Sequence, residues 1–91
     1  MPKKTVSAAI TNMRGLHARA SAKFVETAAR FKSEVTVTKD ETTVSGRSIM
    51  GLMMLAAPKG TIIQLTAEGD DAEEALRALT ALIAARFHED A

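Results

Sequence analysis

Hydropathy along this chain switches between two periods, and that restricts the fold more than any single motif does. Residues 5–10, 34–38 and 61–68 alternate apolar and polar side chains, whereas 18–31 and 72–87 repeat apolar residues at every third or fourth position. Alternation half-buries a strand; the longer period puts one face of a helix on a core. The first strand turns Val6, Ala8 and Ile10 inward. The first helix carries Phe24, Ala28 and Phe31, flanked by Ala22, Val25 and Ala29. Glu34 to Thr38, a turn at Lys39-Asp40-Glu41 and a short return over Thr42 to Ser45 read as a hairpin. Gly46 and Arg47 end that strand, and Ser48 is placed to cap a short helix over 49–55. Pro58-Lys59-Gly60 is a turn. The fourth strand buries Ile63, Leu65 and Ala67. Asp70 and Asp71 open a last helix whose buried face is Leu76, Leu79, Leu82, Ile83 and Phe87, with Glu74 three residues after Asp71 in a capping-box spacing. The order is βαββαβα, which suits an α+β domain with an antiparallel sheet and helices on one face.

Ninety-one residues read as a single domain, 1–91, burying roughly 60–65% of its unfolded surface. Three Phe and no Trp or Tyr leave the core to Ala, Val, Ile, Leu and Met. There is no cysteine, hence no disulfide and no thiolate metal site. No secretory h-region follows Met1, and no run approaches the roughly 18 apolar residues of a membrane span. A cytoplasmic protein is expected. Net charge is only +1, but residues 1–47 hold nine Lys or Arg against four acids, and 48–91 hold three against seven. A basic first half favours an acidic partner docking there.

That basic half contains Gly15-Leu16-His17-Ala18-Arg19. Gly15 breaks what precedes it, and the first helix begins within a residue or two of His17. A helix start offers unpaired N–H groups and the positive end of the macrodipole, a ready anion site. The same end disfavours an imidazolium, so the neutral ring keeps a lone pair for attack. With Arg19 two residues on, and Arg14 or Lys23 nearby, the suited guest is a phosphoryl group, taken up covalently and passed on.

Ser48, the helix cap, is also a candidate for regulatory phosphorylation, which would put nearly two negative charges beside Ile49, Met50, Met53 and Met54. Those residues are too many for so short a helix to bury, and some of Leu52, Met53 and Met54 are expected to face solvent. His88, beyond the last core residue, receives no role. No cluster has metal-ligand spacing. Nucleic-acid binding is not expected, because the strands lack stacking aromatics and no dense basic patch exists.

Two segments resemble the signatures of the HPr family, the histidine-containing phosphocarriers of the bacterial phosphotransferase system, which include the nitrogen-branch paralogue NPr. Gly15 to Ala22, with Asn12 upstream, is similar to the active-site histidine motif, and Gly46 to Leu55 is similar to the regulatory serine motif. The resemblance covers residues 4–87. It implies an open-faced β-sandwich with strand order 1-4-2-3 and three helices on one side. It implies that His17 accepts a phosphoryl group from phosphorylated Enzyme I and donates it to an Enzyme IIA-type protein, with Arg19 steadying the group and no cofactor or metal. Arg14, Leu16, Ala20, Lys23, Arg47, Ile49, Met50, Leu52 and Met53 are then the expected docking face, an HPr kinase/phosphorylase is a possible partner at Ser48, and a monomer without membrane contact is expected. Two positions depart from the pattern: Ala20 stands where Pro is common, and Arg47 where Lys is common. An alternative reading makes the chain mainly a regulatory module of the nitrogen-related branch, docking partners according to the state of Ser48.

Overall fold

The computed structural model describes residues 1–90. Its elements are β1 (Lys3–Ala9), α1 (Ala18–Ala28), β2 (Glu34–Lys39), β3 (Thr42–Ser45), α2 (Ile49–Met54), β4 (Ile62–Glu68) and α3 (Ala72–Ala84), followed by one tight turn at Arg86–His88. The sheet is antiparallel in the order β1-β4-β2-β3, and the three helices cover one face. This is the open-faced sandwich that the resemblance implied.

Strand alternation produces the two faces directly. Val35, Val37, Ile63, Leu65 and Ala67 are buried under the helices. On the other face Thr5 pairs with Thr66 and Thr66 with Thr36, and the hydroxyls of Thr5 and Thr66 lie 3.0 Å apart. The hairpin turn bends at Asp40, whose φ of 55° is one that Asp tolerates better than most residues.

The core departs from expectation in its makeup. All five methionines are exposed, at 88, 65, 72, 42 and 77% for Met1, Met13, Met50, Met53 and Met54. Space anticipated for them is filled instead by the fully buried Phe24 and Phe87, packed with Ile10, Leu52, Leu79 and Ile83. One phenylalanine fills the volume of several small side chains in fixed rotamers, so two suffice in a domain of this size.

Two local expectations fail for one reason. The first helix was expected to run to about residue 31, but it ends at Ala28, and Arg30 N and Phe31 N close tight turns on Thr27 O and Ala28 O. Ala29, expected on the buried stripe, is exposed. The Asp71–Glu74 capping box does not form either: Asp71 sits at the N-cap of α3 with no side-chain cap bond. Its carboxylate instead accepts the N–H of Lys32 at 2.8 Å, the N–H of Ser33 at 2.9 Å and the hydroxyl of Ser33 at 2.5 Å. A distant segment offering three donors outcompetes the single amide of its own helix, and by taking those donors it draws the chain out of α1. The Ser33 hydroxyl lowers the Asp71 carboxyl below the ordinary aspartate range, aided by the amides of Lys32 and Ser33 and opposed by burial.

Candidate functional site

The site is built on the loop before α1. Gly15 adopts φ +67°, and a Cβ on it would lie 2.3 Å from Ala57 O and 2.8 Å from Pro58 Cα. Only glycine fits that close approach to the loop after α2. Leu16 N bonds Ala57 O at 3.0 Å, and the Leu16 side chain is buried. The chain therefore arrives at His17 with both preceding residues fixed.

His17 is the N-cap of α1, in extended conformation (φ −77°, ψ −177°), and its side chain does not cap the helix. Its carbonyl receives the first helical bond, from Ser21 N at 2.9 Å. The N–H groups of Ala18, Arg19 and Ala20 thus have no intrahelical partner, and no acidic residue lies in the first turn to compensate them. An anion beside the half-buried imidazole meets three amides and the positive end of the helix.

The structure adds Glu89, which nothing in the sequence indicated, and shows what Asn12, named upstream in the histidine motif, contacts. Glu89 Oε2 lies 2.5 Å from His17 Nε2, and Glu89 Oε1 accepts the Asn12 amide nitrogen at 3.0 Å. Asn12 is fully buried and donates also to Gly15 O at 2.8 Å. Turning its amide over would aim Oδ1 at a carboxylate and a carbonyl, two acceptors, so Nδ2 must occupy that side. Burial pushes the Glu89 carboxyl up, but the bonds from Asn12 and His17 and nearby positive charge, from Lys23 and from the His17 ring when it is protonated, outweigh it, leaving Glu89 below the ordinary glutamate range. Glu89 reaches the ring because Arg86, Phe87 and His88 all take left-handed φ, at 57°, 54° and 61°. Such a conformation costs roughly 1–2 kcal/mol per non-glycine residue. Burial of the whole Phe87 side chain and the 2.6 Å bond from Lys23 Nζ to Phe87 O hold it. No clear local signal marked this turn, since Arg86 and Phe87 disfavour positive φ and His88 only tolerates it better than most.

Met13, Arg14, Arg19, Lys23, His88, Glu89 and Asp90 line one open cleft of about 330 Å³. The structure thus brings Arg14, Arg19 and Lys23 to one place beside the carboxylate that holds His17. His88, to which the sequence assigned nothing, also borders it. Among the described residues no group of three His, Cys, Asp or Glu side chains gathers as a metal site, and no helix is long and apolar enough to cross a membrane.

Residues 4–85 match the family described as PTS HPr component phosphorylation site. The chain belongs to the HPr family. It is 62% identical over 80 residues to the phosphocarrier protein HPr of Neisseria meningitidis, spanning 88% of this chain and 90% of that one. It is 42% identical over 80 residues to the phosphocarrier protein NPr of Shewanella violacea, spanning 88% of each. A crystal structure of HPr-C-His from Thermoanaerobacter tengcongensis superposes with a TM-score of 0.92 at 48% identity, covering 97% of this chain and 99% of that one. Phosphotransfer in the phosphotransferase system is the business of this family.

The second HPr-like motif lies at α2. Ser48 is its N-cap, and the Ser48 hydroxyl oxygen accepts the Gly51 N–H at 2.9 Å. Ile49, Met50, Met53 and Met54 are exposed beside it, and Arg47 is exposed next to them. Three residues expected on the docking face are not offered to a partner. Leu16, Ala20 and Leu52 are 5, 0 and 0% exposed, because their positions on the loop, α1 and α2 point at the shared core. They belong to the buried core.

Proposed function

We propose that His17 is the phosphoryl acceptor of this HPr-family protein, loaded by phosphorylated Enzyme I and unloaded onto Enzyme IIA-type proteins. The observation that carries this is an imidazole at the N-cap of α1, where the first-turn amides lack intrahelical partners. The Glu89 carboxylate can only accept, so the 2.5 Å contact places a proton on Nε2, and in the neutral ring this leaves the Nδ1 lone pair for phosphorus. Three phosphoryl oxygens would then meet the amides of Ala18 to Ala20, with Arg19 as the primary side-chain clamp and Arg14 as a second cation. Lys23, engaged with Phe87 O, adds charge more than contact. Stabilisation by the helix end, on the order of 0.3–2 kcal/mol, is modest, as a group that must leave again requires. Incubation with phosphoenolpyruvate and Enzyme I should add one acid-labile phosphoryl group by mass spectrometry. His17→Ala should abolish it, and a label surviving that substitution would sink the assignment.

A second reading gives Ser48 a regulatory role. It is supported by the four exposed apolar side chains on α2 beside the Ser48 hydroxyl, a surface whose docking a phosphate would oppose by charge. The resemblance to a protein named NPr keeps the nitrogen-related branch open beside sugar uptake. Partner binding that distinguishes Ser48→Asp from Ser48→Ala supports Ser48 as the switch, and equal binding rejects it.

A further inference from the structure

We infer that Glu89 is a positioning residue for phosphoryl transfer: it orients the His17 ring through Nε2 and offsets the positive charge the ring acquires when phosphorus bonds to Nδ1. This rests on His17 being the acceptor. The geometry is specific. Glu89 touches Nε2 alone, with its second oxygen held by the buried Asn12 amide, so the carboxylate cannot swing to Nδ1 without losing that bond. Among the described residues no hydrogen bond engages Nδ1. The carboxylate is delivered by three successive left-handed residues pinned by a fully buried Phe87 and by Lys23. A tail that merely trailed past the helix would have no reason to hold so strained a path.

The transfer step balances as follows. The Nδ1 lone pair forms the new N–P bond, while the bond from phosphorus to the donor nitrogen breaks and its electron pair returns to the donor. The Nε2 proton stays in place, so the phosphorylated ring is an imidazolium, and the Glu89 carboxylate neutralises it where it forms. Discharge runs the same step backward: the ring leaves as a neutral imidazole still protonated at Nε2. Preorganised opposite charge at the site of developing charge lowers the barrier to uptake, while discharge, which extinguishes that charge, is restrained by the same carboxylate. Arg14, Arg19 and Lys23 border the same cleft as Glu89, and their positive charge offsets the repulsion Glu89 exerts on the incoming phosphoryl oxygens; His88 and Asp90 line the same rim.

Phosphoramidate, a small donor that needs no protein docking, tests this on the full chain. Glu89→Leu removes acceptor and charge, Glu89→Gln keeps an acceptor oxygen without the charge, and Glu89→Asp keeps the charge on a shorter arm. The rate of His17 phosphorylation should fall on the order of tenfold in Glu89→Gln and further in Glu89→Leu, consistent with loss of a charge-assisted hydrogen bond, and recover partly in Glu89→Asp. Ring nitrogen NMR should report the Nε2–H tautomer in the parent and a mixed population in Glu89→Leu. Wild-type rates with unchanged ring shifts in Glu89→Leu would overturn the inference, as would faster phosphorylation, which would make Glu89 a plug. Either result leaves the acceptor assignment standing as long as the label stays on His17, whereas a label elsewhere on the parent protein removes both.

Discussion

Lys23 Nζ reaches the carbonyl oxygen of Phe87 at 2.6 Å across 64 residues of sequence. That single bond joins the second turn of α1 to the end of the chain, and it fixes the turn from which Glu89 meets His17. Helix α1 and the tail are one mechanical unit.

Removing either half of that unit should therefore loosen the site. Phe87→Ala deletes a fully buried ring and should cost about 3–5 kcal/mol, read from urea unfolding. Lys23→Met keeps the aliphatic stem and loses the charged donor, costing about 1–3 kcal/mol. Its distinctive signature is faster amide exchange at His88 and Glu89, whose N–H groups bond Ala85 O and Arg86 O, with exchange in β4 following only the global stability change. Unaltered exchange at those two amides would show that the tail holds itself.

Gly15→Ala should be severe. The added Cβ meets backbone at 2.3 Å, which no rotamer change relieves, and the left-handed φ adds its own strain. Together these amount to about 2–5 kcal/mol. Thermal melting should show a clear drop in Tm, and phosphorylation of His17 should slow because the loop that sets the ring has moved.

Ser48 separates stability from regulation. Ser48→Ala loses the Gly51 N–H bond and should cost about 0.5–2 kcal/mol without slowing phosphoryl uptake from a small donor. Ser48→Asp retains a capping acceptor and should melt close to the parent, so any slowing of uptake from Enzyme I in that variant reports charge at the docking face.

Acid stability should depend on the Asp71 clasp. The Ser33 hydroxyl, then the Lys32 amide, hold the folded pKa of Asp71 below the ordinary value against burial. A depressed folded pKa contributes stability that is complete above the unfolded value of about 3.9 and is lost as pH falls through the lower folded value. Glu89 acts in the same direction. The urea midpoint of the parent should thus fall steeply on acidification below pH about 4. Asp71→Asn should start lower at neutral pH and fall less, and parallel curves for the two proteins would reject the clasp as an acid-sensitive element.

The parts of the site that were legible are those encoded within a few residues. Gly15, His17 and Arg19 lie on one loop and the first turn of one helix, so spacing alone placed imidazole, amides and guanidinium together. Ser48 and Gly51 are likewise three apart, and the cap formed as read. The exposed face of α2 was legible only in part, because helical spacing names the residues of α2 but not which side meets the core: Leu52 went inward and the methionines outward. Asp71 misled because a capping box is judged from its own helix, while the winning donors at Lys32 and Ser33 lie 39 and 38 residues away.

By itself the amino-acid order determined the elements, their sequence along the chain and the helix start at His17, since strand alternation, helical period and capping are set by neighbours in the chain. Tertiary structure alone decided that the His17 imidazole has a carboxylate partner 72 residues away. That contact exists because core packing of Phe87 compensates three backbone conformations that each residue, taken singly, disfavours, and no local propensity carries that balance.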